Sequence, residues 1–215
     1  MAVRMAPGRA ETSARYYPVS LKLEGRAVLV VGGGVVAERK VQALRQAGAR
    51  VQVVAGKPTA RLKRLATEGS IELVERPYQA GDVGGAFVVV AATSDEAVNR
   101  EVFAEADLRG IPCNVVDVPE LCSFIVPSVF RRGDLTIAVS TNGRSPSFSK
   151  MVRQHIEAEI GPEYAEYLEL VGSLRDQVKA YKSPGERERV WECIHHADVL
   201  GALRAGDKSR AREIV

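Results

Sequence analysis

The chain has 215 residues, 46% of them hydrophobic and 27% charged, with a formal net charge of +3. This is ordinary globular composition, enough for one good-sized core and a smaller appendage, and the charge is too small to argue for nucleic acid. No apolar run approaches the ~20 residues that span a bilayer, and the polar start "MAVRMAPGRAETSARYYP" lacks a secretory core, so a disordered leader over 1–17 and a cytoplasmic address without membrane contact are expected.

Short β-branched runs then alternate with amphipathic stretches. "RAVLVV" (26–31) has the continuous apolar character of a buried strand. "AERKVQALRQAG" (37–48) puts Val41, Leu44 and Ala47 on one helical face, with Gly48 at the expected stop. "RVQVVA" (50–55) predicts a second strand, and "TARLKRLATEG" (59–69) a helix started by Thr59. "SIELVER" (70–76) alternates as an edge strand does, and "AFVVVAAT" (86–93) reads as deeply buried. A helix over 94–110, capped by Ser94 or Asp95, leads to "IPCNVVD" (111–117). This alternation predicts a doubly wound parallel sheet over 18–118.

The period changes after Asp117. "SFIVPSVF" (123–130) and "DLTIAVST" (134–141) predict two strands joined by "RRG", within a β-containing segment over 119–150. From 151 to 215 the chain predicts a helical domain, broken near Gly161-Pro162 and again at "KSPGE" (182–186). The three cysteines, Cys113, Cys122 and Cys193, are odd in number and widely spaced, which fits neither a disulfide framework nor a zinc site. His155 falls inside a helix and His195 and His196 far along the tail, so no metal site is expected.

Gly32-x-Gly34-x-x-Ala37 fits the G-x-G-x-x-G/A turn: a glycine for the tight bend, a second for the approach of a pyrophosphate, and a small residue for close helix packing. Its place between a strand and a helix points to a dinucleotide, with phosphate at the helix N-terminus. The acidic residue expected about 20 positions on is missing, because the second strand ends in Ala55, Gly56 and Lys57. Lys57 suits a 2′-phosphate or is an ordinary loop lysine, and chemistry alone leaves NAD and NADP both open. Asp117 ends the fifth strand on the same rim, where a carboxylate among Val115, Val116 and Val118 suits either a proton acceptor or a turn cap before Pro119. Ser145 or Ser147 is placed to cap the helix that follows.

The segments "VVGGGVVAERK", "VVAATSDEAVNREV", "CNVVD", "SFIVPS" and "IAVSTNGRSPSFSKMVRQHIE" closely resemble the precorrin-2 dehydrogenase family, which includes the N-terminal module of siroheme synthases. The resemblance covers about residues 16–180. It implies a Rossmann-like fold, a homodimer built largely from the segment after the nucleotide domain, and NAD-dependent oxidation of precorrin-2 to sirohydrochlorin. In several members the same protein also inserts ferrous iron, and the residues leave that second activity open. The resemblance assigns the required aspartate to Asp117 and cofactor contacts to Val35, Val36, Gly56 and Lys57, beside Gly32, Gly34 and Thr93. An anionic tetrapyrrole needs cations and hydrogen-bond donors, so Arg144 and Lys150, with the hydroxyls of Ser123 and Ser145, are candidate substrate contacts, beside a wider basic set of Arg131, Arg132 and Arg153.

Two departures stand out. Val35 occupies the position where relatives often carry Asp, and Ser140-Thr141-Asn142-Gly143 replaces the "SSGG" of some relatives, in which one serine is phosphorylated. The length leads to the expectation that no methyltransferase module follows. A non-catalytic nucleotide sensor would share the first five strands and the glycines, and a dehydrogenase of another small substrate is a third reading. The segments after Asp117 have no role in a generic sensor.

Overall fold

The computed structural model describes residues 16–181 and 183–215. All but Tyr16 and Tyr17 of the expected leader lies outside them. The chain forms two compact units, one up to Val126 and one from Pro127 to Val215.

The first unit is a five-stranded parallel sheet in the order β3-β2-β1-β4-β5. Its strands are β1 (Ala27–Val31), β2 (Arg50–Val54), β3 (Glu72–Val74), β4 (Val88–Ala91) and β5 (Cys113–Val115). Between them lie helices α1 (Val35–Gln46), α2 (Ala60–Thr67) and α3 (Glu96–Leu108). The near-continuous apolar runs of β1 and β4 are explained by their central place: both sheet faces are covered, so successive side chains are buried in opposite directions. Leu29 and Val31 of β1 pack with Val102 and Ala106 of α3, whereas Val30 packs with Ala37 and Val41 of α1 and Leu62 of α2. Each fully buried valine or leucine contributes about 1.5–3 kcal/mol, which makes this three-layer arrangement the main source of stability. β3, alternating in sequence, is an edge strand.

Local signals act where they are expected. Thr59 accepts a hydrogen bond from the Leu62 N–H to cap α2, and Asp95 accepts from Ala97 and Val98 to cap α3. Gly48 ends α1 with a φ of 77°, a left-handed conformation that glycine adopts without penalty.

The run 123–130 departs from expectation. Only Ser128–Arg132 forms a strand, β6, and it continues through both arginines. Pro127 has no N–H to give a ladder, and residues 122–124 bond to β5 instead. The Ser123 N–H donates to the Cys113 carbonyl at 2.9 Å, the Cys113 N–H donates to Ser123 Oγ at 2.7 Å, and the Asn114 side chain donates to the Phe124 carbonyl at 3.0 Å. The Val115 carbonyl accepts from the Val118 N–H and the Cys122 thiol. The outer edge of β5 is therefore sealed by the chain's own next segment.

In the second unit β6 pairs antiparallel with β7 (Leu135–Val139), with Arg132 opposite Leu135. Two residues close the hairpin, and Gly133 supplies the positive φ that such a turn requires at its first position. The long helix α4 (Pro146–Glu159) packs on this hairpin, and Ser145 caps it by accepting from the Phe148 N–H. Beyond it α5 (Glu163–Ser173), α6 (Arg175–Lys179), α7 (Pro184–His196), α8 (Val199–Arg204) and α9 (Lys208–Ile214) enclose two small clusters, around Val171 and around Val199.

Candidate functional site

A cleft of about 610 Å³ opens over the carboxyl ends of the strands in the first unit. It lies where the strand order reverses between β1 and β4, the place at which doubly wound sheets collect ligands. All seven expected cofactor residues, Gly32, Gly34, Val35, Val36, Gly56, Lys57 and Thr93, line it together with Asp117.

The three glycines answer to different constraints. Gly32 has a φ of 127°, and a β-carbon there would lie 2.4 Å from the Ala92 carbonyl oxygen. Gly33, the variable position of the motif, is hemmed in on three sides: a β-carbon would lie 2.8 Å from Ala55 Cβ, the Lys57 carbonyl oxygen and Pro58 Cα. Its own carbonyl accepts from the Thr59 N–H at 3.0 Å, and the Thr59 hydroxyl in turn donates to the Glu38 carboxylate of α1. The turn after β1 and the loop after β2 are thus locked together. Gly34 has ordinary extended backbone, and a β-carbon there meets nothing within 4 Å. No side chain caps α1, so its free first-turn N–H groups and positive dipole end are left for an anion. An uncapped helix end behind an open glycine is a cradle of the shape and charge that a pyrophosphate fits.

Asp117 is exposed, and its backbone is left-handed, with a φ of 62°. It occupies the third position of the turn closed by the Val118 N–H on the Val115 carbonyl, where glycine would be favoured. The carboxylate makes no hydrogen bond among the described residues, so it is not the cap of that turn. Val115 and Val116 pack into the two core layers and leave the carboxylate uncovered, so the valine-lined setting read from the sequence does not form around it.

The other expected residues fall elsewhere. The Thr93 hydroxyl is engaged with Asp95 and the buried Asn99, whose amide donates back to the Thr93 carbonyl, so its backbone is what remains for a ligand. Ser123 lies on the β5 edge with its hydroxyl held by Cys113, outside the cleft lining. Arg144, Ser145 and Lys150 belong to the second unit. There Arg132 and Arg153 both pair with Glu157, which leaves Arg131, Arg144 and Lys150 exposed and without an ion pair among the described residues.

Sequence reasoning missed Gly33, Pro77 and Tyr78 of the lining. The Tyr78 hydroxyl donates to Glu105, and burial, then this neighbouring carboxylate, push it above the usual tyrosine range. Burial pushes the Cys113 thiol up to about 12, and burial also raises Cys122. Among the described residues no three His, Cys, Asp or Glu side chains come together as a metal site.

A family model described as "Putative NAD(P)-binding" matches residues 19–128, just over half of the sequence. Two further models follow it in order, the sirohaem biosynthesis protein central region at 132–159 and the sirohaem synthase dimerisation region at 163–215. The chain belongs to the siroheme synthase and precorrin-2 dehydrogenase family. The first unit of this family member is an NAD(P)-binding module.

Curated relatives include the siroheme synthase of Pseudomonas aeruginosa (strain LESB58), 39% identical over 93% of this chain, and siroheme synthase 1 of Aeromonas salmonicida, 40% identical over the same share. The siroheme synthase of Neisseria meningitidis serogroup C is 43% identical over 82% of the chain. The chain spans 43%, 43% and 37% of those relatives' lengths, less than half in each case. Among solved structures, SirC, a precorrin-2 dehydrogenase, matches with a TM-score of 0.70 at 26% identity, covering 93% of this chain and 96% of that one.

Proposed function

We propose that this family member is an NAD-dependent precorrin-2 dehydrogenase, forming sirohydrochlorin on the route to siroheme and working in the cytoplasm as a homodimer. The observation that carries the reading is Asp117: an uncommitted carboxylate in a left-handed backbone, on the rim of a dinucleotide-shaped cleft. A non-glycine residue in that conformation is uncommon and stores local strain, which is tolerated where a side chain is needed for function. The resemblance of the surrounding segments and the likeness to a precorrin-2 dehydrogenase support the same conclusion.

In this reading Gly32 makes the tight turn, Gly34 admits the pyrophosphate, and the backbone N–H groups of Val35 and Val36 receive it. The bound nicotinamide supplies the hydride acceptor. Asp117 takes the proton that leaves the tetrapyrrole, and its exposure leaves it in reach of the substrate. Arg144, Lys150 and the exposed Arg131 hold substrate carboxylates. Iron insertion, if carried out by the same chain, would use Asp117 again to accept pyrrole protons, with ferrous iron as substrate.

Anaerobic incubation with precorrin-2 and NAD tests the reading, with sirohydrochlorin and NADH expected to appear in step. Asp117→Asn is the informative variant, because asparagine tolerates the left-handed backbone while removing the base. It should lose turnover and keep nucleotide binding. Absence of turnover in the wild type with either nucleotide, while binding persists, would replace this reading with a nucleotide sensor.

A further inference from the structure

Lys40 of α1 lies outside the cleft lining, and its half-buried side chain has no ion pair or hydrogen bond among the described residues. Among those residues no fully buried side-chain nitrogen or oxygen lacks a partner, so the stem of Lys40 is packed while its ammonium still reaches solvent. A half-buried cation without a partner weakens the fold, and such a weakness is tolerated where a site needs the charge.

The local geometry aims this ammonium at Asp117. α1 begins at the carboxyl rim with Val35, and Lys40 follows about 7.5 Å further along the helix. Helical side chains lean toward the N-terminus of their helix, so the four-carbon stem of Lys40 carries its charge back toward the rim. Ala37 and Val41, which flank Lys40 on α1, belong to the core layer in which Val116 packs. The turn that presents Asp117 is therefore laid against this stretch of α1. Burial holds the Lys40 ammonium below the ordinary lysine range, and Asp117 is the largest influence in the opposite sense. The other groups nearby are no substitute: Arg39 repels the ammonium, and the Cys122 thiol is turned onto the Val115 and Val118 carbonyls at 3.1 and 3.3 Å.

We propose that Lys40 is a positioning residue for the oxidation: its ammonium draws the exposed Asp117 carboxylate to the α1 side of the rim and fixes the direction from which it meets the substrate. The inference rests on the reading of Asp117 as the proton acceptor. In that step the proton passes from the tetrapyrrole to a carboxylate oxygen of Asp117, while the hydride and its electron pair go to the nicotinamide. The carboxyl group so formed is neutral, the pull of Lys40 on it ends, and it turns to solvent to release the proton.

Anaerobic steady-state oxidation of precorrin-2 with NAD, measured on the full chain, compares the wild type with Lys40→Met and Lys40→Arg. Lys40→Met should lower kcat by about tenfold or more with both KM values within about twofold, and Lys40→Arg should keep kcat within about threefold of wild type. Calorimetry should give Lys40→Met the wild-type affinity for NAD, and urea unfolding a midpoint no lower than wild type, so that the slower variant is neither empty nor unfolded. Lys40→Gln repeats the comparison where methionine disturbs the packing. Wild-type kcat in the Met and Gln variants overturns the proposal, as does a loss that arginine does not restore. A change confined to KM or to NAD affinity makes Lys40 a substrate or cofactor contact and overturns it too. A wild type without turnover overturns the proposal together with the reading of Asp117.

Discussion

Alanine at Gly33 and at Gly34, one substitution at a time, separates folding from ligand binding within a single turn. At Gly33 the new β-carbon would lie 2.8 Å from three atoms, two of them backbone, so the loop 55–58 must retreat by about 0.6 Å or more to restore ordinary contact. That retreat pulls on the bond from the Thr59 N–H to the Gly33 carbonyl and on the Thr59–Glu38 contact behind it. Overpacking of this kind costs about 1–3 kcal/mol. At Gly34 nothing lies within 4 Å and the backbone is ordinary, so the stability change should stay within about 0.5 kcal/mol: alanine is a poorer helix cap than glycine but restricts the unfolded chain. The same methyl fills the space through which a pyrophosphate reaches the α1 N-terminus, and dinucleotide affinity should fall at least about tenfold. Urea unfolding and nucleotide calorimetry on the two variants give the four numbers. If Gly34→Ala retains wild-type nucleotide affinity, or if Gly33→Ala unfolds at the wild-type midpoint, this division of roles is wrong.

Leu62→Ala empties a fully buried site between α2 and the sheet and should lower unfolding free energy by about 2–5 kcal/mol, read from urea curves; a loss below 1 kcal/mol would mean the layer re-forms around the gap. Burial holds the half-buried Lys40 ammonium below its ordinary 10.5, against the attraction of Asp117. The unfolded chain therefore binds the extra proton more readily, so the cost is fully present below the folded value and fades as pH rises toward 10.5. Lys40→Met should unfold at a higher urea concentration than wild type at pH 7, with the gap closing in alkali; a lower midpoint at pH 7 would refute the assignment. Alkylation of the native protein at mildly alkaline pH should label the exposed Cys193 first and leave the buried Cys113, whose thiol titrates near 12, untouched until unfolding. Mass mapping of labelled peptides reads this, and early labelling at Cys113 would show that β5 opens in the native state.

The sheet was legible because burial on two faces writes itself as runs such as "VLVV" and "VVVA", and the caps at Thr59 and Asp95 because short oxygen-bearing side chains announce helix starts. The convergence of Gly32, Lys57, Thr93 and Asp117 on one rim follows from the alternation itself, since parallel crossovers return every strand in the same direction. What stayed hidden depends on contacts between segments far apart in sequence. Gly33 looked like the freely variable position, and only the approach of Ala55, Lys57 and Pro58 shows why a third glycine is needed. The split of "SFIVPSVF" was hidden for a similar reason: its first half has strand composition but spends its hydrogen bonds on β5. Arg132 and Arg153 read as free cations because nothing local reveals that Glu157 faces both.

The sealed margin of β5 also limits how copies of this chain can associate. Its outward backbone groups at Cys113 and Val115 are already satisfied from within, by Ser123, Val118 and Cys122. A second molecule finds no open ladder there to extend, and the usual hazard of an unguarded sheet margin, runaway strand-to-strand polymerisation, is removed at that side. Any association of copies through an extended sheet is thereby barred at the nucleotide module's β5 side.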